Sequence, residues 1–364
     1  MGGKGGVLME PILWANAIND PKGDGYGYSN HTRQMMHALQ RAGVEISTAL
    51  DGSAKIAVHL TPADFYEPIP GMVNVLFTMV ETATIPGHLQ IERERQPDVF
   101  IVPCEHNRRI FKQFYRGKPV HVCPEGINPA EFPYYERKEP AKNKPFRFLF
   151  VGALNDRKGL TRIANLFNEW LGGGDLPDNA QLYLKTTNLI DIGLSEIHYL
   201  KPDEKRVNFK GYRPAPGENP VLPSMVIDQR NIDTAELCKL YHSAHAFILP
   251  TTGEGWGLTL HEALATGCPA IWTHWSGPVD YADAAIGFPI KKITMTPIEF
   301  ADGGRSTGTL PDITEIKKRM RHIYDNYPEA LKRGKKASDR MHNQFTWDHA
   351  AQRFVEILAA VQGG

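Results

Sequence analysis

The sequence carries no excess of charge: 41 Lys and Arg stand against 41 Asp and Glu in 364 residues. With a formal net charge of zero, evenly spread over both halves, no global field draws the chain to DNA or to an anionic membrane. That favours a small-molecule or neutral-polymer partner. Cysteine is scarce. The four residues Cys104, Cys123, Cys238 and Cys268 show no C-x-x-C spacing, which argues against structural zinc and against a disulfide framework. A reducing, cytoplasmic compartment with free thiols is expected. No apolar run reaches the ~18 residues of a membrane span, and "MGGKGGVLMEPILWANAI" lacks the apolar core of a signal peptide. "GGKGG" reads as a flexible leader or a cloning scar rather than a P-loop, because no G-K-[ST] follows it. "HEALATG" lacks the second His of a zinc H-E-x-x-H motif, and His242 and His245 in "YHSAH" have no further ligands nearby in sequence. Repeats and low-complexity tracts are absent too.

What is present is an alternation of short apolar runs with helical patterns, the mark of parallel α/β folding. In the first part "PILWANA", "KIAVHL", "VNVLFTMV", "DVFIVP" and "VHVCP" read as strands. In the second part "FRFLFVG", "AQLYLKT", "HAFILP" and "CPAIWT" do. Their nearly continuous apolar character suits strands covered on both faces. Helical periods run through "NHTRQMMHALQRAG", "EHNRRIFKQFYRG", "KGLTRIANLFNEWLG", "DTAELCKLYHSA" and "LTLHEALATG". The charged, proline-bearing stretch "YYERKEPAKNKPF" divides the two strand sets. The expectation is two doubly wound Rossmann-like domains facing across a cleft, residues 1–140 and 141–344. A last amphipathic helix, 345–364, would pack back toward the first domain.

Two segments carry chemistry. In "FLFVGALNDRKGL" a strand ends in a polar turn bearing Arg157 and Lys158, followed by a helix start. A planar guanidinium, a compact ammonium and free helix N–H groups suit a diphosphate; the other reading is a solvated basic turn. In "PTTGEGWGLTLHEALATG" a glycine-rich turn separates a buried strand from a helix. Gly253, Gly255 and Gly257 allow close backbone approach. Each carboxylate, Glu254 in the turn and Glu262 in the helix, can accept two hydrogen bonds from a vicinal diol. Alone, Glu254 reads equally as a turn residue and Glu262 as an exposed helix position.

Taken together, these segments resemble the retaining GT4 glycosyltransferases of the two-domain GT-B group. The matching stretches are "FLFVGALNDRKG", "LCKLYHSAHAFILPTTGEGWGLTLHEALATGCPAI", "FTWDHAAQRF", "DVFIVPCEHNRRIF" and "VHVCPEGINPAEF". The E-x7-E spacing between an "ILP" strand and an "EALATG" helix is the specific element. The resemblance implies that Glu254 binds donor-sugar hydroxyls beside the backbone of Gly255, Trp256 and Gly257. It implies that Glu262 holds the ribose, and that Arg157 and Lys158 neutralise the leaving diphosphate. Leu258 and Thr259 would open the helix facing the same phosphates, and Gly211 in "VNFKGY" would line the base. Where many members have Arg after the strand's glycine, this chain has Ala153, which weakens the assignment of Arg157 relative to Lys158. Gly25 and Gly27 in "KGDGYGYSN" resemble the family's glycine-rich phosphate loop, and Glu81 in "FTMVETATIP" resembles an acceptor-side acid.

The implied reaction moves a hexose from a UDP- or GDP-linked donor to an acceptor hydroxyl of a glycan or glycolipid, with retention. With no D-x-D in the chain, no metal and no cofactor are expected. The alternatives are transfer to hydroxymethylated bases of DNA and a non-catalytic sugar-nucleotide-binding protein. "RRIFKQFYRGK" reads as a solvated basic face in preference to a membrane or nucleic-acid contact.

Overall fold

The computed structural model describes residues 10–15, 27–140, 144–153, 156–159, 162–163, 166, 179–186, 197–200, 225–299 and 304–362. The first sheet contains β1 Ile12–Trp14, β2 Ile46–Ser47, β3 Ile56–Leu60, β4 Val73–Phe77, β5 Val99–Val102 and β6 Val120–Val122. Their order is β2-β1-β3-β4-β5-β6, and every pairing is parallel. The second sheet has the order β13-β12-β11-β7-β8-β10-β9, again wholly parallel. Its strands are β7 Phe146–Val151, β8 Ala180–Lys185, β9 Ile197–Leu200, β10 Met225–Asp228, β11 Ala246–Leu249, β12 Ala270–Thr273 and β13 Phe288–Ile290. Most of these strands are buried along their whole length, as parallel strands with both faces covered must be. Two α/β domains with parallel sheets are the result.

Helix α1, Tyr28–Arg41, turns His31, Gln34, Met35, Ala38 and Leu39 inward at helical spacing and leaves its polar face outside. Helix α2, Glu105–Phe114, follows β5; α3, Thr234–Ser243, follows β10 behind a complete capping box of Asp233 and Glu236. Helix α4, Leu258–Ala265, follows β11.

The structure adds elements that the sequence reading does not contain. An antiparallel hairpin of β14, Ile293–Glu299, and β15, Arg305–Pro311, leaves the second sheet after β13. Helices α5, Ile313–Asp325, and α6, Tyr327–Gln344, cover the basic stretches near the C-terminus. Their charges occupy only one face. Ile316, Met320, Ile323, Ala330, Ala337 and Met341 are buried in the core of the second domain. The helix expected over "KGLTRIANLFNEWLG" falls largely outside the described residues.

The chain crosses between the domains twice, and the crossings lie side by side. Ile127 donates its N–H to the Phe345 carbonyl at 2.9 Å, and Trp347 donates to the Ile127 carbonyl at 3.2 Å. Gly126 has no side chain because a Cβ there would collide with the backbone at Trp347. Helix α7, Trp347–Gln362, then returns to the first domain. Its Trp347, Ala350, Ala351, Phe354, Ile357 and Leu358 share one apolar cluster with Ile12, Trp14, Val58 and Phe77. Among the described residues no helix is long and apolar enough to cross a membrane. All four cysteines are buried free thiols.

Candidate functional site

The carboxyl ends of β7 and β11 are adjacent, because those strands pair in the middle of the second sheet. In a parallel α/β sheet this is where ligands bind. After β7 the chain forms a short 3-10 turn, Asp156–Lys158, and after β11 it runs through 250–257 into α4. The two turns are stitched by the Thr252 N–H donating to the Arg157 carbonyl at 2.7 Å.

Lys158 meets Glu254 in a two-pronged ion pair, with Nζ at 2.8 Å from Oε1 and 2.7 Å from Oε2. The Glu254 side chain is 5% exposed and that of Lys158 15%, so the pair is nearly withdrawn from water. Burial lowers the Lys158 pKa against the opposing pull of Glu254. Arg157 lies beside them. Its Nη1 donates to the Gly253 carbonyl at 3.0 Å and lies 3.6 Å from Glu254 Oε2, while Nη2 lies 3.3 Å from Glu81 Oε1. Burial works against the Arg157 charge, but Glu81 and then Glu254 outweigh it and raise the pKa.

The turn around Glu254 is held from several sides. Its N–H donates to Ser276 Oγ at 2.9 Å, and its carbonyl accepts from the Gly277 N–H at 3.0 Å. Ser276 adopts φ 57°, a left-handed conformation that a non-glycine residue takes at a cost. Trp256 is buried, and its indole N–H donates to His261 Nδ1 at 3.1 Å. Burial pushes the His261 pKa down to about 3, so that imidazole is a neutral acceptor. Tyr281 places its hydroxyl 3.2 Å from the carbonyls of both Trp256 and Gly257.

Helix α4 starts at Leu258 behind Gly257, whose φ of +99° is open to glycine and strained for any other residue. No side chain caps this helix, so its first N–H groups and positive dipole end face the turn region. Among the described residues, Thr259 Oγ1 and Thr252 Oγ1 are buried there without a hydrogen-bond partner. Buried hydroxyls without partners are uncommon and suit a ligand oxygen. Glu262 is buried on the same helix, at 7% exposure, and accepts from the Tyr241 hydroxyl at 2.8 Å. Burial pushes its pKa up to about 8, against the Tyr241 hydrogen bond.

The first domain closes over this turn. A Cβ on Gly253 would strike the Glu81 carbonyl, and one on Gly255 would strike the Met79 side chain. Cys104 Sγ sits 3.3 Å from the Gly255 carbonyl. Gly27 is the residue before α1 and lends it no side-chain cap. Gly25 and Gly211 lie outside the described residues.

The structure thus brings Arg157, Lys158, Glu254 and Glu81 into one ion-paired chain, with Gly255, Trp256, Gly257, Leu258 and Thr259 forming the wall beside it. Glu262 is not part of that chain and is held instead by the Tyr241 hydroxyl. Sequence reasoning missed Tyr241, Ser276, Tyr281 and Met79. Tyr241 lies in a helix predicted correctly, but nothing in its spacing shows that it reaches across to α4.

Comparison with known proteins bears on the fold and the family. Residues 217–354 match the model of the family described as Family 4 Glycosyltransferase in conflict systems. A probable sucrose-phosphate synthase of Thermosipho melanesiensis is 23% identical over 247 residues, covering 66% of this chain and 47% of that protein. The chain spans less than half the length of the curated relatives it matches. Among solved structures, the sucrose-phosphate synthase of Thermosynechococcus elongatus superposes with a TM-score of 0.65 at 15% identity, covering 98% of this chain and 100% of that one. HepE of Anabaena, solved in complex with UDP and glucose, gives a TM-score of 0.61 at 11% identity, covering 97% and 100%. The family match over residues 217–354 and the shared architecture agree: the chain has the GT-B fold, and its second domain is similar to GT4-type glycosyltransferases.

Proposed function

We propose that this chain transfers a hexose from a nucleoside-diphosphate sugar, UDP- or GDP-linked, to an acceptor hydroxyl of a glycan or glycolipid, with retention and without a metal. The observation that carries the reading is the convergence of Lys158, Arg157 and the uncapped start of α4 on one buried spot. Two cations and a helix dipole end stand where a diphosphate would gain negative charge as it departs. The hydroxyls of Thr252 and Thr259, unpartnered among the described residues, would supply further donors to its oxygens.

In this reading Glu254 exchanges Lys158 for donor-sugar hydroxyls when the diphosphate arrives. Glu262 receives the ribose hydroxyls, with Tyr241 holding its carboxyl in place. The bond between the anomeric carbon and the phosphate oxygen breaks, and the acceptor oxygen forms its bond on the same face. The acceptor proton passes to the departing phosphate oxygen, so no protein nucleophile is needed. This differs from retaining hydrolases, where a carboxylate forms a covalent intermediate. UDP in the structure of HepE supports a nucleotide donor, and the fold is shared with sugar-phosphate synthases.

Thermal shift against UDP, GDP and their hexose conjugates tests the donor, because a ligand that binds the native state raises the melting temperature. Incubation of the responding conjugate with purified protein then reads donor hydrolysis or transfer. No response to any nucleotide sugar would defeat the proposal.

A further inference from the structure

The Glu81 carboxylate is the one acidic group of the first domain that pairs with the Arg157–Lys158 turn among the described residues. It belongs to a segment without regular secondary structure, yet that segment is pinned at almost every residue. Val80 donates its N–H to Asn107 Oδ1 at 2.6 Å, and Asn107 Nδ2 donates back to the Val80 carbonyl at 3.1 Å. His106 Nε2 lies 3.0 Å from the Thr82 carbonyl. The Ala83 N–H donates to the Thr307 carbonyl at 2.7 Å, and Thr84 Oγ1 and Ser306 Oγ are 2.8 Å apart. Strand β15 is itself tied to the donor turn by the Thr309 N–H donating to the Thr252 carbonyl at 2.9 Å. The Glu81 backbone is packed against Gly253 so closely that no Cβ fits between them.

With its backbone fixed from both domains, Glu81 can change partners only by rotating its side chain. The ion chain Lys158–Glu254–Arg157–Glu81 holds two cations and two carboxylates and is neutral as it stands. A diphosphate entering the turn brings at least two negative charges to the same two cations. Both carboxylates cannot keep their places beside it, since like charges at such distances repel strongly in a desolvated site. Glu254 has a new role available in the donor sugar. Glu81, on the opposite domain, has none in the turn, and its side chain is a third exposed, so solvent is open to it.

We propose that Glu81 is the resident counter-anion of Arg157, and that the donor diphosphate must displace it before the donor site is filled. This rests on the nucleotide-sugar reading of the site. Glu81 then sets a threshold: anions bearing too little charge to evict it leave the ion chain as it stands. Its contribution opposes donor binding, the reverse of what a donor ligand would show.

The test is calorimetric titration of the full chain with UDP and with GDP, for wild type, Glu81→Gln, Arg157→Gln and the double variant. Glu81→Gln keeps shape and hydrogen-bonding capacity while removing the charge. The expected result is roughly three- to tenfold tighter nucleoside-diphosphate binding in Glu81→Gln, the scale of one lost like-charge contact near a surface. The gain should vanish when Arg157 is already Gln, a coupling that a purely structural role would not produce. Glu81→Asp, whose shorter side chain withdraws the carboxylate, should fall between wild type and Glu81→Gln and guards against loss of fold in the first variant. Wild-type binding of UDP or GDP with equal or weaker binding in Glu81→Gln would overturn the proposal and leave the donor reading intact. Failure of wild type to bind either nucleotide would overturn both.

Discussion

Tyr241 and Glu262 meet at 2.8 Å inside the second domain, one from α3 and one from α4, with the Tyr241 hydroxyl also 3.1 Å from the Thr259 carbonyl. The pair fixes the start of α4 against its neighbour while keeping an acidic group buried on that helix. An ionised carboxylate is poorly solvated at that depth, which raises the Glu262 pKa from 4.5 to about 8.

The raised value makes stability depend on pH. The folded state favours the protonated acid, so this contribution is fully present below about pH 4.5 and is lost as pH rises through about 8. Glu262→Gln removes the titration and mimics the neutral form. Melting temperatures measured between pH 5 and pH 8.5 should therefore fall more steeply in wild type than in the variant. Parallel curves would show that Glu262 is ionised in the fold throughout.

Gly253 carries a geometric prediction. The Cβ of Gly253→Ala would meet the Glu81 main chain, which cannot rotate away as a side chain does. If the proposed function holds, the variant should lose most of its transfer activity while the full chain keeps its secondary structure by circular dichroism. Gly255→Ala meets the flexible Met79 side chain and should be milder.

Lys158→Ala should lower kcat by a factor of hundreds or more, the scale of deleting one electrostatic group at a developing anion. Addition of EDTA should leave wild-type turnover unchanged if, as proposed, the two cations and the helix start take the part a divalent ion would play. Single-turnover kinetics on both samples check the pair of expectations, and strict dependence on Mg²⁺ or Mn²⁺ would refute the metal-free route.

A stability prediction concerns Arg137, in the segment that joins the domains. Its side chain is buried and donates to the carbonyls of Ala244, Thr266, Tyr241 and Tyr135. Arg137→Ala leaves several of these acceptors buried without partners. At about 1–3 kcal/mol for each such group, the melting temperature should drop by roughly 5–10 °C. Arg137→Lys should recover only part of that, because an ammonium cannot span the same fan of acceptors.

The strands and helices that were legible in the sequence are those with strong apolar runs, such as "VNVLFTMV" and "HAFILP". Lys158, Glu254 and Glu262 were legible as a set because the E-x7-E spacing and the basic turn stand in recognisable places. Helices α5 and α6 escaped the reading because their many lysines and arginines mask the sparse inward stripe of Ile316, Met320, Ala330 and Ala337. Hairpin β14–β15 escaped it because its strands are half exposed, with Pro297 and Gly308 inside them. The pairing of Glu81 with Arg157 joins positions 76 residues apart on different domains, and no local pattern encodes such a contact.

The return of α7 to the first domain has a consequence for how the protein is made. The N-terminal sheet emerges first during synthesis, yet Trp347, Phe354 and Leu358 belong to the cluster that seals Ile12, Trp14 and Phe77. Until those last residues are available, the earliest-made domain keeps an apolar face open to water, and each missing large side chain withholds about 1.5–3 kcal/mol. Domains commonly mature in the order of translation. Here the second domain can finish its core before the first, and helix α7 completes a sheet made well before it.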